Sequence, residues 1–234
     1  MRWSRWALLA LGALSLGSTG CHRYSKAFAR AGITREQIVV DDAALTVERI
    51  RRRYRTFDSE LAKAEGVLII PRLVKGGLLI GGEGGTGVML HRIEGGTFSS
   101  PAFFSMGSAS AGIQLGYEEL AVVIVFRKGQ TMLRALQHGA TVGGDASIAI
   151  AKEFNANDTS RAHKDVVEFI DAEGVFAGAA IEGSIVASKD SINRAYYGAG
   201  ANSRAILMDH AFEQHPGALG LKRALAMAQV ASAK

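Results

Sequence analysis

One cysteine, Cys21, and three prolines are all that 234 residues contain of two residue types that shape small exported folds. A single thiol closes no internal disulfide, which excludes a disulfide-stapled scaffold and leaves the cysteine to be explained some other way. With so little proline, and no Ser-rich or single-charge run in the middle of the chain, nothing marks an interdomain linker; one domain is the default. The signatures of common enzymes are missing as well. No Walker lysine follows a glycine run, and neither HExxH nor GxSxG occurs. His91, His138 and His163 are scattered, and His210 and His215 are five apart, a poor spacing for one helix face. No metal, cofactor or catalytic set is therefore expected.

What is present points to a packed domain. Hydrophobic residues make up 48% of the chain, enough for a core. Glycine is abundant, at 28 residues against a usual share of about 7%, and it lies inside apolar segments. Such glycines mark bulges, bends or close backbone approach rather than a flexible tract. The formal net charge of +5 falls to +3 if Arg2 and Arg5 are removed with a leader, a mild excess compatible with an anionic lipid surface.

Residues 1–20, MRWSRWALLALGALSLGSTG, place two arginines before an apolar run and end in small residues. That is the layout of a secretory signal peptide, with an apolar run too short for a permanent membrane span. Cys21 follows directly, after Ser18, Thr19 and Gly20, and the arrangement resembles the lipobox of bacterial lipoproteins. It departs from that pattern at Ser18, where leucine is usual. The resemblance implies an acylated Cys21, and His22, which is not the aspartate of inner-membrane retention, implies the periplasmic face of the outer membrane. Residues 21–40 then read as a tether with a short element, and 41–234 as the folded domain.

Thr34 and Gln37 have the spacing of a capping box, but the run from Ile38 to Val40 favours a brief turn or strand. A helix is expected after Asp41 and Asp42, ending at Gly66. Along it Val47, Ile50, Tyr54, Phe57 and Leu61 recur every three or four residues, forming one stripe. Arg49, Arg51, Arg52, Arg53 and Arg55 crowd the same segment. The stripe could dip into a bilayer while the arginines meet anionic head groups, each contributing about 1 kcal/mol. Equally, the stripe could pack on the core and leave the arginines solvated.

From Gly66 onward the pattern becomes short apolar or alternating runs separated by glycine, as in hairpins. The expected fold class is α+β, mainly antiparallel β as a sandwich or partly closed barrel, with the amphipathic helix in front and helices at the C-terminus. The run KAEGVLIIPRLVKGGLLIGGEGGTGVMLHR, then SSPAFFSMGSASAGIQLGYE, VVIVF, VGGDASIAIA, GVFAGAAIEGSIVAS and RAYYG, resembles the SYLF family in order and spacing over roughly residues 49–207. The resemblance implies a lipid-binding domain. Eukaryotic members bind phosphoinositides and work with cortical actin, whereas bacterial members are often exported envelope proteins. A basic amphipathic segment ahead of the glycine-rich core is implied to contribute to membrane binding, and Val47 to Leu61 occupies that place here.

Gly82, Gly84 and Gly87 fit GxGxxG, but the strand-like VMLHRI follows where a dinucleotide site needs a helix, so no nucleotide is expected. The arginine cluster lacks an aromatic platform for nucleic acid. Anionic membrane lipids are the expected partners. Two alternatives stay open: an envelope protein docked on a sheet edge or glycine face, and a small hydrolase using Glu83, Asp145 or Glu182, each in a setting where burial would raise a carboxyl pKa.

Overall fold

The computed structural model describes residues 34–77, 80–111, 116–138, 140–141, 165–172 and 184–231. Helix α1 spans Arg35–Arg53, starting a turn and a half before the two aspartates. Thr34 is extended and its hydroxyl oxygen accepts the Gln37 amide N–H at 3.1 Å, so the cap forms where a turn or strand was expected. The Gln37 side chain donates to Asp41 and to the Gly217 carbonyl, which ties the cap to the far end of the chain. Burial of Val40 and Ala43 extends the Val47 and Ile50 stripe backwards.

The expected single helix is in fact two. At Tyr54 the backbone turns extended and its N–H closes α1 on the Ile50 carbonyl at 2.8 Å. The Tyr54 hydroxyl donates to the Ile170 carbonyl at 2.6 Å and its ring meets Phe169 edge-on. This anchorage lies far away in sequence, and it overrides a continuous helical pattern. Helix α2, Phe57–Ala62, follows; Gly66 then opens a strand rather than ending a helix.

Strands β1 (Gly66–Gly77), β2 (Ile80–His91), β3 (Ala102–Ala111) and β4 (Gly116–Phe126) are followed by helix α3 (Gly129–His138) and β5 (Ala140–Thr141). After them come β6 (Val166–Ala172), β7 (Ile185–Ser188), helices α4 (Asp190–Tyr197) and α5 (Ser203–Leu207), a 3₁₀ turn at Pro216–Ala218 and α6 (Leu219–Ala231). The strands form one sheet in the order β5-β7-β3-β2-β1-β4-β6, every neighbouring pair antiparallel. The antiparallel α+β architecture is thus present. Helices, rather than a second sheet, supply the described cover.

Alternation along β1 shows why the central strands are apolar throughout. Val67 and Ile69 face a cluster built with α1, α2 and α6, including Val47, Ile50, Phe57, Leu61 and Leu225. Leu68 and Ile70 face the opposite cluster, which Met132 of α3 and Ile206 and Leu207 of α5 help to close. A strand buried on both faces needs no polar side. Each such side chain contributes about 1.5–3 kcal/mol of burial.

A register shift between Ile70 and Leu73 puts a bulge in β1, and the glycines opposite answer it. A Cβ on Gly87 would collide with the Ile69 backbone and the Ile70 side chain. One on Gly84 would meet nothing within 4 Å. The GxGxxG run is therefore sheet, with β2 continuing to His91 and no helix after it.

Near the C-terminus an aromatic joint locks helices to strands. Tyr196 donates to Gln37 at 2.7 Å and Tyr197 to the Pro101 carbonyl at 2.6 Å, while the His215 ring packs 4.3 Å and 4.9 Å from their ring centres. His91 approaches the Leu207 carbonyl at 3.3 Å and lies parallel to His210. Burial holds both His91 and His215 below the ordinary imidazole value of 6.5.

Two outcomes follow from this packing. Gly87→Ala should lower unfolding free energy by about 2 kcal/mol or more, whereas Gly84→Ala should stay within about 0.5 kcal/mol, as read by urea unfolding. Below pH 6.5 the unfolded chain takes up protons at His91 and His215 that the folded chain resists, so stability should fall as pH drops and level off above that value. The loss should develop as pH falls through and below 6.5, and the double substitution His91→Gln with His215→Gln should flatten the profile.

Candidate functional site

Because Val40, Ala43, Val47 and Ile50 point into the sheet, the helical repeat fixes where each arginine goes. Arg49 and Arg53, four apart, flank the stripe on the β6 side. Arg49 Nε lies 3.1 Å from Asp171 Oδ2 and an Arg53 guanidinium nitrogen 3.2 Å from Asp171 Oδ1. Arg49 also donates to the Thr46 hydroxyl at 3.1 Å. Asp42 shares this flank; burial raises its carboxyl above the usual range while Arg49 and Arg72 oppose that shift.

Arg51 takes the other flank. It reaches Asp58 at 2.8 Å and the Ala224 carbonyl at 2.8 Å, and so joins α1 to α2 and α6. Arg52 faces outward with its side chain 70% exposed and a loose 3.9 Å approach to Glu48. Arg55 is exposed in the turn after α1. The five arginines therefore occupy several sides of the segment rather than bordering one lipid-facing stripe. Val47, Ile50, Phe57 and Leu61 are buried and Tyr54 half-buried; insertion of those side chains into a bilayer would require α1 and α2 to leave the sheet.

Glu83 has a different setting from the one its glycine neighbours suggested. It pairs across β1 and β2 with Lys75, whose ammonium lies 3.1 Å from its carboxylate. The hydroxyl of Ser184, just before β7, donates to the other carboxylate oxygen. The Glu83 side chain is only 3% exposed, so its charge is balanced inside the fold and it acts as a cross-strand tie. Glu60 is likewise buried against Arg127 at 2.8 Å. Removing one member of such a pair strands the other.

A cavity of about 500 Å³ opens along residues 210–216. Its Glu213 is already held by Lys222 at 2.6 Å and by the Ser100 N–H at 3.1 Å. Among the described residues no group of three or more His, Cys, Asp or Glu side chains is placed to hold a metal. No described helix is long and apolar enough to cross a membrane. Cys21, Asp145 and Glu182 lie outside the described residues.

Two features had little trace in the sequence. Asp171 meets arginines more than a hundred positions earlier, and Ser184 reaches a carboxylate at similar separation. Only the ending of the strand-like run DVVEFID on an aspartate hinted at a charge near a strand terminus.

Part of this chain is similar to known proteins. Residues 107–228 match the family model Ysc84, described as Las17-binding protein actin regulator. Protein YSC84 of Saccharomyces cerevisiae is 30% identical over 153 residues, covering 63% of this chain and 32% of that protein. SH3 domain-containing YSC84-like protein 1 of Xenopus laevis is 29% identical over 143 residues, 59% of this chain and 42% of the relative. The Homo sapiens protein of the same name is 27% identical over 141 residues, 58% and 41%. The match thus spans about a third to two-fifths of each relative's length. With more than half its length matched to the family model, the chain belongs to the Ysc84 family, the SYLF domain family.

Proposed function

We propose that this is a noncatalytic membrane-binding lipoprotein of the cell envelope, held by an acylated Cys21 and drawn to anionic lipid by the arginines around the end of α1. The observation that carries the reading is an arginine-rich, partly exposed surface, Arg49, Arg52, Arg53 and Arg55, on a domain of the SYLF family. Arg51, tied between α2 and α6, serves mainly to hold that surface in place. The buried stripe supports adsorption through charge rather than through inserted side chains. A lipid chain on Cys21 and a basic patch are two signals, which together give firmer attachment than one. In this reading the domain sits on the outer membrane, on its periplasmic side. Las17 binding and actin regulation, named for the family, are not carried over, because an exported chain is separated from the cytoskeleton.

A second reading, docking of an envelope protein, draws on the sheet face that α1 leaves open. Gly82, Gly84 and Ala187 are exposed there and Ile185 is 57% exposed, a flat surface of small side chains beside one large one. The names of the yeast relatives, such as LAS seventeen-binding protein 3, describe protein binding in those proteins.

Flotation of the Cys21→Ser chain on phosphatidylglycerol-containing and on pure phosphatidylcholine vesicles separates the two readings. Charge-driven adsorption predicts binding to the anionic vesicles that weakens with added salt and drops several-fold when Arg52 and Arg55 become Gln. Equal indifference to both vesicle types would remove the arginine mechanism, and intact-mass analysis without an acyl adduct on Cys21 would remove the anchor.

A further inference from the structure

One carboxylate receives two guanidinium groups at hydrogen-bond distance, with Asp42 acting on Arg49 electrostatically from the same flank. Asp171 carries a single negative charge and receives Arg49 on one oxygen and Arg53 on the other, at 3.1 Å and 3.2 Å. The two arginine side chains remain 45% and 48% exposed, and the aspartate 24%, so the group is open to solvent. The scaffold beneath it is fixed. Arg49 and Arg53 stand one turn apart on a helix whose inner face is fully buried, and Arg49 is steadied by Thr46. The Arg53 guanidinium lies over the Tyr54 ring, whose hydroxyl is bonded to Ile170, next to Asp171 itself. Two planar donors held at this separation suit a phosphate, which offers more acceptor oxygens than a carboxylate and forms bidentate contacts with arginine.

We propose that Arg49 and Arg53 form a clamp for the phosphate of an anionic lipid head group, and that Asp171 occupies this clamp as an internal competitor until the domain meets a bilayer. The idea rests on the lipid-binding reading above and adds to it the two residues that grip and the one that must yield. Exchange is inexpensive because the displaced ion pairs are exposed, where such pairs contribute little. A membrane supplies many phosphates at once, so the internal carboxylate is outcompeted there.

The test compares the Cys21→Ser chain with Asp171→Asn and with Glu94→Gln. Glu94 is exposed just past the end of β2, at the opposite end of the paired strands from Asp171, so it controls for loss of one negative charge. Asp171→Asn should float with phosphatidylglycerol vesicles several-fold more than Glu94→Gln, and adding Arg49→Gln with Arg53→Gln should erase the gain. Independently, Arg49→Lys with Arg53→Lys, which keeps the charge, the fold and Asp171 but loses the planar forks, should bind several-fold less than the parent. If Asp171→Asn matches Glu94→Gln, or if the lysine pair binds as the parent does, the clamp is wrong while lipid binding by the parent stands. If no variant binds any vesicle, both ideas fall. Glycerol 3-phosphate separates the sources of phosphate: a rise in melting temperature specific to Asp171→Asn in its presence, without a gain on vesicles, would reassign the clamp to a soluble ester and overturn the lipid assignment.

Discussion

Val40, Ala43, Val47 and Ile50 form an inner face of α1 that no water reaches, and the placement of every charge on that helix follows from it. Once those four side chains are committed to the sheet, the 3.6-residue repeat sends Arg49 and Arg53 toward β6, Arg51 toward α6 and Arg52 outward. Hydrophobic burial thus decides the electrostatics. The reverse arrangement, apolar stripe outward, would expose Val47, Ile50, Phe57 and Leu61 together and leave the sheet face of Val67, Ile69 and Val123 uncovered. At about 1.5–3 kcal/mol per large apolar side chain, no set of surface ion pairs at about 0–1 kcal/mol each could offset that loss.

The sheet places the polar groups by the same logic. Among the described residues its central strands carry large apolar side chains on both sides near Gly66, Phe126 and Val166, whereas toward the glycine-rich ends of β1 and β2 the buried groups include polar ones. There, Lys75, Glu83 and Ser184 replace apolar contacts with a compensated polar cluster. Arg92 does similar work beneath α2, where its guanidinium group donates to the carbonyls of Leu61, Ala64 and Gly96 and covers the Phe98 ring. It satisfies helix-end carbonyls that would otherwise lack donors.

Much of the fold could be read from residue order because the signals were local. Runs such as GVLII and LAVVIVF can satisfy strand geometry and little else, and the three-and-four spacing of Val47, Ile50, Phe57 and Leu61 marked a buried face. What could not be read depended on distant partners. Ile38, Val39 and Val40 look strand-forming by themselves and argue against a Thr34 cap, yet Gln37 finds Gly217 and Tyr196 and the helix wins. The interruption at Tyr54 depends on Phe169 and Ile170. The sequence shows arginines crowding the segment that carries the apolar stripe; their division among three sides needs Asp58, Ala224 and Asp171 to be in place.

Among the described strands β6 is the last on one side of the sheet, and a terminal strand is where a further polypeptide segment can add itself by backbone pairing. Asp171 near its end, with two bulky cations leaning over it from α1, puts charge at that margin. Any strand added beside Asp171 would have to accommodate or displace those two guanidinium groups, so charge guards this margin against backbone pairing.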